Sequence, residues 1–287
     1  MVHRSAAPGL RAVLRGTVSL LSDSRKSLAV GIFCFAMLCA LVSATVNRQI
    51  RSIEDRILES ASLSWEELRF EVNESLGAFD QKDAEVVMAR FGIGSSTVTV
   101  EELSGSKETV ALAFVVAAGP WILVSFFSML ILHFIASVFF LRMSAHPLLP
   151  LDRLFLELPL FTFKMLVVLL WYVVRSFLWF PIIGPLLAVY MTPRLALAPA
   201  LLAKKKSGIF LSCRESMKAT KGRWFFMTGS LLFLFLASVA MLWFGIVIVA
   251  VVSLFSAKLS FFLWLLLTMF LTAVQMFFLM ALSKEMA

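Results

Sequence analysis

Long apolar runs, separated by short polar stretches rich in Lys and Arg, set the pattern of this sequence. Five runs stand out: residues 28–46, 110–141, 154–174, 224–255 and 259–282. A helix rises 1.5 Å per residue, so roughly 20 apolar residues are needed to cross about 30 Å of hydrocarbon. Within hydrocarbon every backbone amide has to be satisfied inside its own segment, which makes each such run a helix. A sixth run, residues 177–191, is shorter and is interrupted by Pro181 and Pro185. The pattern predicts an all-α, polytopic membrane bundle of six transmembrane helices.

Two of the runs, 110–141 and 224–255, exceed a straight crossing, and tilt or an interfacial first turn absorbs the surplus. Gly119-Pro120 marks a bend or terminus in the former. Residues 148–191 admit two arrangements. They form two crossings with Arg175 at the outer turn between them, or one crossing over 165–191 behind a half-inserted segment broken by Pro150 and Pro159. Two crossings are preferred, because a single one would hold Arg175 near the bilayer centre at a cost of a few kcal/mol. The first run contains Val42-Ser43-Ala44, which looks like a signal cleavage site. At about 19 residues behind a basic leader it is longer than the roughly 7–15 of a signal core, and it reads as an uncleaved anchor.

Composition agrees with this reading. Of 287 residues, 60% are hydrophobic and 15% charged, against about 45–50% and about 25% in soluble domains. The excess has to face lipid. Cys34 and Cys39 lie inside an apolar run and Cys213 in a basic stretch, and the histidines are His3, His133 and His146. No disulfide framework or metal-ligand spacing emerges, and no cofactor is implied.

Charge sets the orientation. The leader carries Arg4, Arg11, Arg15, Arg25 and Lys26 against Asp23. Residues 192–223 carry Arg194, Lys204, Lys205, Lys206, Arg214, Lys218, Lys221 and Arg223 against Glu215. Short basic loops stay cytoplasmic. With six crossings both stretches and Lys284 share the cytoplasmic side, and Arg175, Lys258 and residues 47–108 fall opposite. That last segment holds thirteen of the eighteen acids against seven Lys or Arg, six more negative than positive charges. The net charge of +8 thus follows from topology and calls for no nucleic acid.

Four parts result: a basic cytoplasmic leader with an interfacial helix over residues 1–27, a first transmembrane helix at 28–46, an acidic extracytoplasmic helical segment at 47–108, and a membrane bundle at 109–287 with a basic cytoplasmic loop at 192–223. In the acidic segment Ile50, Ile53, Ile57 and Leu58 recur at helical spacing. Ser64-Trp65-Glu66-Glu67 forms a capping box opening a second helix, and Asp80 caps a third that ends at Gly92. Residues 97–100 read as a short strand or a further helix start. Two amphipathic helices are expected on the cytoplasmic surface, with stripes Leu10, Val13, Leu14, Val18, Leu21 and Ile209, Phe210, Cys213, Met217. Their basic residues sit near anionic headgroups, as topological anchors or as lipid-recognition elements. Stripe, basic turn and spanning helix recur in that order over residues 10–46 and 209–232, the outline of a parallel repeat.

Candidate chemistry is sparse. No P-loop, GxSxG, HExxH, CxxC or dinucleotide loop occurs, and Gly92-Ile93-Gly94 follows a helical stretch, as a cap and turn would. The pairs Glu66-Glu67 and Glu101-Glu102 suit helix first turns, and His133 suits helix packing. Lys164 lies near the middle of the run 154–174, seven residues after Glu157 and on the same helical face. An ionisable residue inside the membrane is a functional candidate. Two readings stand: Lys164 faces the bundle interior and pairs with Glu157 or a carbonyl, or the helix starts near Pro159 and Lys164 snorkels to the interface.

Arg194-Leu195-Ala196-Leu197-Ala198-Pro199-Ala200, followed by Ser216-Met217-Lys218-Ala219-Thr220-Lys221-Gly222-Arg223-Trp224, resembles a group of bacterial six-helix membrane proteins. These are related to the membrane domain of glycerophosphoryl diester phosphodiesterases and are mostly uncharacterised. The resemblance covers residues 177–235 and elsewhere rests on hydropathy and element order. It implies a bacterial inner-membrane location, a chain break at Pro199 and a headgroup anchor at Trp224. The long acidic segment departs from that group, and with no phosphodiesterase portion the resemblance implies no hydrolase activity. Three function classes follow. The favoured one is a non-enzymatic accessory, scaffolding or envelope-homeostasis component, with a protein partner on residues 47–108. The others are a small-solute transporter using Lys164 and Glu157, and a lipid-acting enzyme for which no residue constellation speaks.

Overall fold

The computed structural model describes residues 9–61, 107–177, 184–204 and 208–286. These form helices α1 (Leu10–Asp23), α2 (Arg25–Ala61), α3 (Lys107–Ala145), α4 (Leu151–Phe177), α5 (Gly184–Leu195), α6 (Ala198–Lys204), α7 (Ile209–Ala219), α8 (Trp224–Ser253) and α9 (Ala257–Met286). Among the described residues there is no strand, and the protein is an all-α helical bundle. Among the described residues five helices, α2, α3, α4, α8 and α9, are long and apolar enough to cross a membrane. At 12 residues, α5 reaches only about 18 Å. The expected sixth crossing at 177–191 falls partly on residues outside the described set.

Two compact units divide the chain, Met1–Cys39 with Ile131–Ala287, and Ala40–Leu130. The second unit holds the outer lengths of α2 and α3. There α2 runs on past residue 46 to Ala61, so the helical spacing at Ile50, Ile53, Ile57 and Leu58 does lie on a helix. The helix α3 continues through Pro120 and does not end there. The capping box at 64–67, the expected helix from Asp80 and residues 97–100 lie outside the described residues.

In the first unit α8 and α9 form a hairpin. Its turn is closed by Ser256, whose hydroxyl accepts the Leu259 N–H at 3.3 Å, an N-cap for α9. The two helices come closest at Gly245, where an added Cβ would collide with the Leu267 side chain. Between them Gln275 Nε2 donates to Ser238 Oγ at 3.0 Å. Lipid tails are as apolar as leucine, so close packing and such hydrogen bonds hold the pair together. The rest of α8 faces outward, with Phe225, Trp243 and Phe244 exposed.

One buried stripe runs unbroken along α1 and the start of α2: Val13, Thr17, Leu20, Ser24, Leu28, Phe35 and Cys39. The joint at Ser24 is a single non-helical residue whose N–H still reaches the Leu20 carbonyl. Beside this stripe α1 and the start of α2 run antiparallel to α9. A Cβ on Gly16 would meet Ala281 at 3.5 Å, and Phe33 meets Phe262 edge-on at 6.0 Å. The expected surface stripe of α1 is thereby divided. Val13 is buried against the bundle, whereas Leu14 and Val18 are exposed; a helix with apolar residues over so wide an arc serves both neighbours.

The core of this unit gathers at the end of α3. Phe139, Phe140, Leu141 and Met143 are fully buried, and Phe35 lies 5.4 Å from Phe139 and 6.0 Å from Phe140 between ring centroids. Gly31 permits that approach, since a Cβ there would stand 2.7 Å from a ring carbon of Phe139. The short α6 is buried throughout Ala198–Ala203 save Pro199. The chain breaks at residues 196–197, ahead of Pro199, which sits in the first turn of α6, where its missing N–H matters least.

Candidate functional site

The strongest polar cluster lies where α3, α4 and α6 meet. Arg142 ends the long apolar face of α3, and its guanidinium reaches two neighbours. Nη1 donates to the Ala203 carbonyl at 2.6 Å, and Nη2 donates to Glu157 Oε2 at 2.8 Å. The ring of Phe161 lies 5.6 Å from the guanidinium carbon. The Arg142 side chain is 14% exposed and that of Glu157 48%. Half-exposed, Glu157 keeps much of its hydration, so this ion pair by itself contributes less than about 1 kcal/mol.

The bond to Ala203 matters more. A helix leaves its last carbonyls unsatisfied, and Ala203 lies in the final turn of α6. His146 Nε2 lies 3.2 Å from the same oxygen, so the tautomer carrying hydrogen on Nε2 supplies a second donor. One buried carbonyl is thus met by two side chains from the end of α3. The group ties three helices together.

A second polar cluster joins α4, α5, α7 and α8. The Tyr172 hydroxyl lies 2.7 Å from Thr192 Oγ1. Ser216 Oγ donates to the Arg194 carbonyl at 2.6 Å, and the Arg194 guanidinium sits 4.5 Å over the Tyr190 ring. Trp224 Nε1 donates to the Tyr190 carbonyl at 3.2 Å, so the residue expected as a headgroup anchor also fastens the start of α8 to α5. The preceding turn passes through Gly222 at φ 78°, a conformation glycine enters without strain.

The structure changes one expected pairing. The carboxylate of Glu157 engages Arg142 rather than Lys164, which stands seven residues further along α4 and is half-buried. Lys164 is the middle residue of α4; in a crossing helix a lysine there costs about 3 kcal/mol. Arg175, in the last turn of α4, is exposed. Burial pushes the Cys213 thiol up, and the Arg175 charge pulls it partly back. Trp171, one turn earlier, packs edge-on against Phe210 of α7 at 5.2 Å.

Of the basic surface residues, Lys204, Arg214, Lys218 and Lys221 are exposed. Arg223 is half-buried, with Nη1 3.9 Å from Met286 Sδ. Lys205 and Lys206 lie outside the described residues. On α7 the inward face is Ser212, Cys213 and Ser216, so only part of the expected apolar stripe turns inward, and Phe210 is exposed apart from its contact with Trp171. His133 is half-buried in α3, and its carbonyl accepts from Ser137 Oγ at 2.8 Å. Among the described residues no group of three His, Cys, Asp or Glu gathers as a metal site would.

Arg142 was not singled out by the sequence, His146 was named only among the histidines, and Arg194 only in the basic stretch and the motif at 194–200. Arg142 and His146 do close an apolar run, but their common acceptor is a backbone carbonyl some sixty residues away. Compared with known proteins, the chain matches no family model, no curated protein and no solved structure.

Proposed function

We propose that this membrane protein is a non-enzymatic accessory or scaffold of a bacterial inner membrane. It presents a packed basic platform to the cytoplasm and an acidic segment, residues 47–108, to the other side, with both termini cytoplasmic. The observation that carries the reading is the construction of the basic end. There α6 is buried, Arg142 and His146 converge on its last turn, and α1 is packed along the end of α9. An end tied by several helices at once suits a platform that holds its shape, and its exposed Lys204, Arg214, Lys218 and Lys221 suit anionic headgroups. A transporter would need Lys164 and Glu157 on one path, and the bond of Glu157 to Arg142 does not favour that. The motif at 194–200 and 216–224 supports kinship with the six-helix group related to the glycerophosphodiesterase membrane domain.

Affinity capture of the intact chain from crosslinked membranes, with bound proteins and lipids both identified, tests the proposal. A recurrent protein partner, lost when the acids of 47–108 are neutralised, is expected. Solute uptake into proteoliposomes that disappears in Lys164→Ala would overturn it.

A further inference from the structure

Counting the helices raises a contradiction. Among the described residues five are long and apolar enough to cross, and an odd number of crossings would leave α1 and the end of α9 on opposite sides of the membrane. Yet α1 packs along the last turns of α9, Gly16 beside Ala281. The number of crossings must be even. Either α5 also crosses, or one of the five does not.

The contacts of α4 decide between these. Its first turns are bound at the end of α3, where Glu157 and Ala203 share Arg142. Its last turns touch the same basic stretch again, Trp171 against Phe210 and Tyr172 against Thr192. Residues 192–223 carry eight cations and one acid, and a stretch so charged stays on one side of a bilayer. A helix with both ends on that stretch starts and finishes on that side.

The residues of α4 fit such a position. At 100° per residue, Arg153, Glu157, Lys164 and Arg175 fall within an arc of about 40°. Leu154, Phe161, Met165 and Val168 form the buried face. Leu156, Leu160, Phe163 and Leu170, each at least half exposed, point away from that packed face. One face for the protein, one for acyl chains and a row of charge at their border is the build of a helix lying in an interface. The row carries three cations, and its one acid is already bonded to Arg142.

We propose that α4 does not cross the membrane. It lies along the leaflet on the side of residues 192–223, its apolar face in the acyl chains and Arg153, Lys164 and Arg175 at the depth of the lipid phosphates. Only α2, α3, α8 and α9 cross.

The test uses the full chain with Cys34, Cys39 and Cys213 changed to Ser, carrying one cysteine at a time. Sealed vesicles of both orientations are treated with a membrane-impermeant maleimide. Arg175→Cys is expected to label from the same side as Lys218→Cys and to be protected from the side that labels Arg48→Cys. Labelling together with Arg48→Cys would overturn the proposal. A fluorophore on Lys164→Cys, quenched by lipids with spin labels at graded depth, supplies an independent reading. Strongest quenching near the headgroups is expected, and strongest quenching at the bilayer centre would overturn the placement even if the labelling variants fold poorly.

Discussion

Helices α8 and α4 are both long and apolar enough to span a bilayer, and the structure uses them in different ways. The 30 residues of α8 contain no charge; it meets α9 at a glycine and through one side-chain hydrogen bond, and Trp224 fastens its start to α5. In α4, of 27 residues, five are charged. It is held near its start by Arg142 of α3 and near its end by Thr192 of the basic stretch. Length and mean apolarity admit either helix to a bilayer. The placement of a few charges around the helix, and the partners at its two ends, decide how each sits.

Substitutions that erase this contrast sharpen it. The largest effect is expected on the α8 side, where Gly245→Leu drives a side chain into Leu267. Overpacking of this kind costs about 3 kcal/mol, read as a lower midpoint of unfolding in detergent and loss of a crosslink between α8 and α9. On the α4 side, Arg142→Ala leaves the Ala203 carbonyl short of a donor and releases Glu157. A loss of about 2 kcal/mol is expected in the same assay. Arg142→Lys should restore only part of it, because an ammonium lacks the planar fork that serves both acceptors.

Smaller effects separate the two regions further. Gln275→Leu removes the one polar tie between α8 and α9 for which a partner is seen, Ser238. Interhelical bonds of this type average about 0.6 kcal/mol in membranes, so little change in unfolding is expected; a loss as large as that of Arg142→Ala would mean that α8 and α9 rely on polar ties as α4 does. The smallest change is kinetic. The Cys213 thiol is raised by burial and drawn down by Arg175, so Arg175→Gln should raise it further and slow alkylation of Cys213 at a given alkaline pH, stability being unchanged. An unaltered rate would place Arg175 away from α7.

Much of the fold was legible without coordinates because hydrocarbon imposes one rule on every segment. The runs at 28–46, 110–141 and 259–282 lie within α2, α3 and α9, and the run at 224–255 overshoots α8 by two residues, for that reason. The outer surface of α1 was legible only in part. Its apolar residues cover more than one face, and periodicity cannot say which face meets protein and which meets lipid. The candidate site was scarcely legible. Lys164 drew attention as a charge in an apolar run, but the residue that organises the cluster is Arg142, whose partners Glu157 and Ala203 lie 15 and 61 positions away.

By itself, the order of residues determined that this chain enters a membrane, that its secondary structure is helical, and that its cations gather in the leader and in 192–223. Solvent transfer and backbone satisfaction act on each segment locally, so local composition answers those questions. Tertiary structure alone decided that α1 lies along α9, that Glu157 goes to Arg142, and that Trp171 of α4 meets Phe210 of α7. These depend on which helices become neighbours, and pairwise geometry between distant segments leaves no periodic trace in a single sequence.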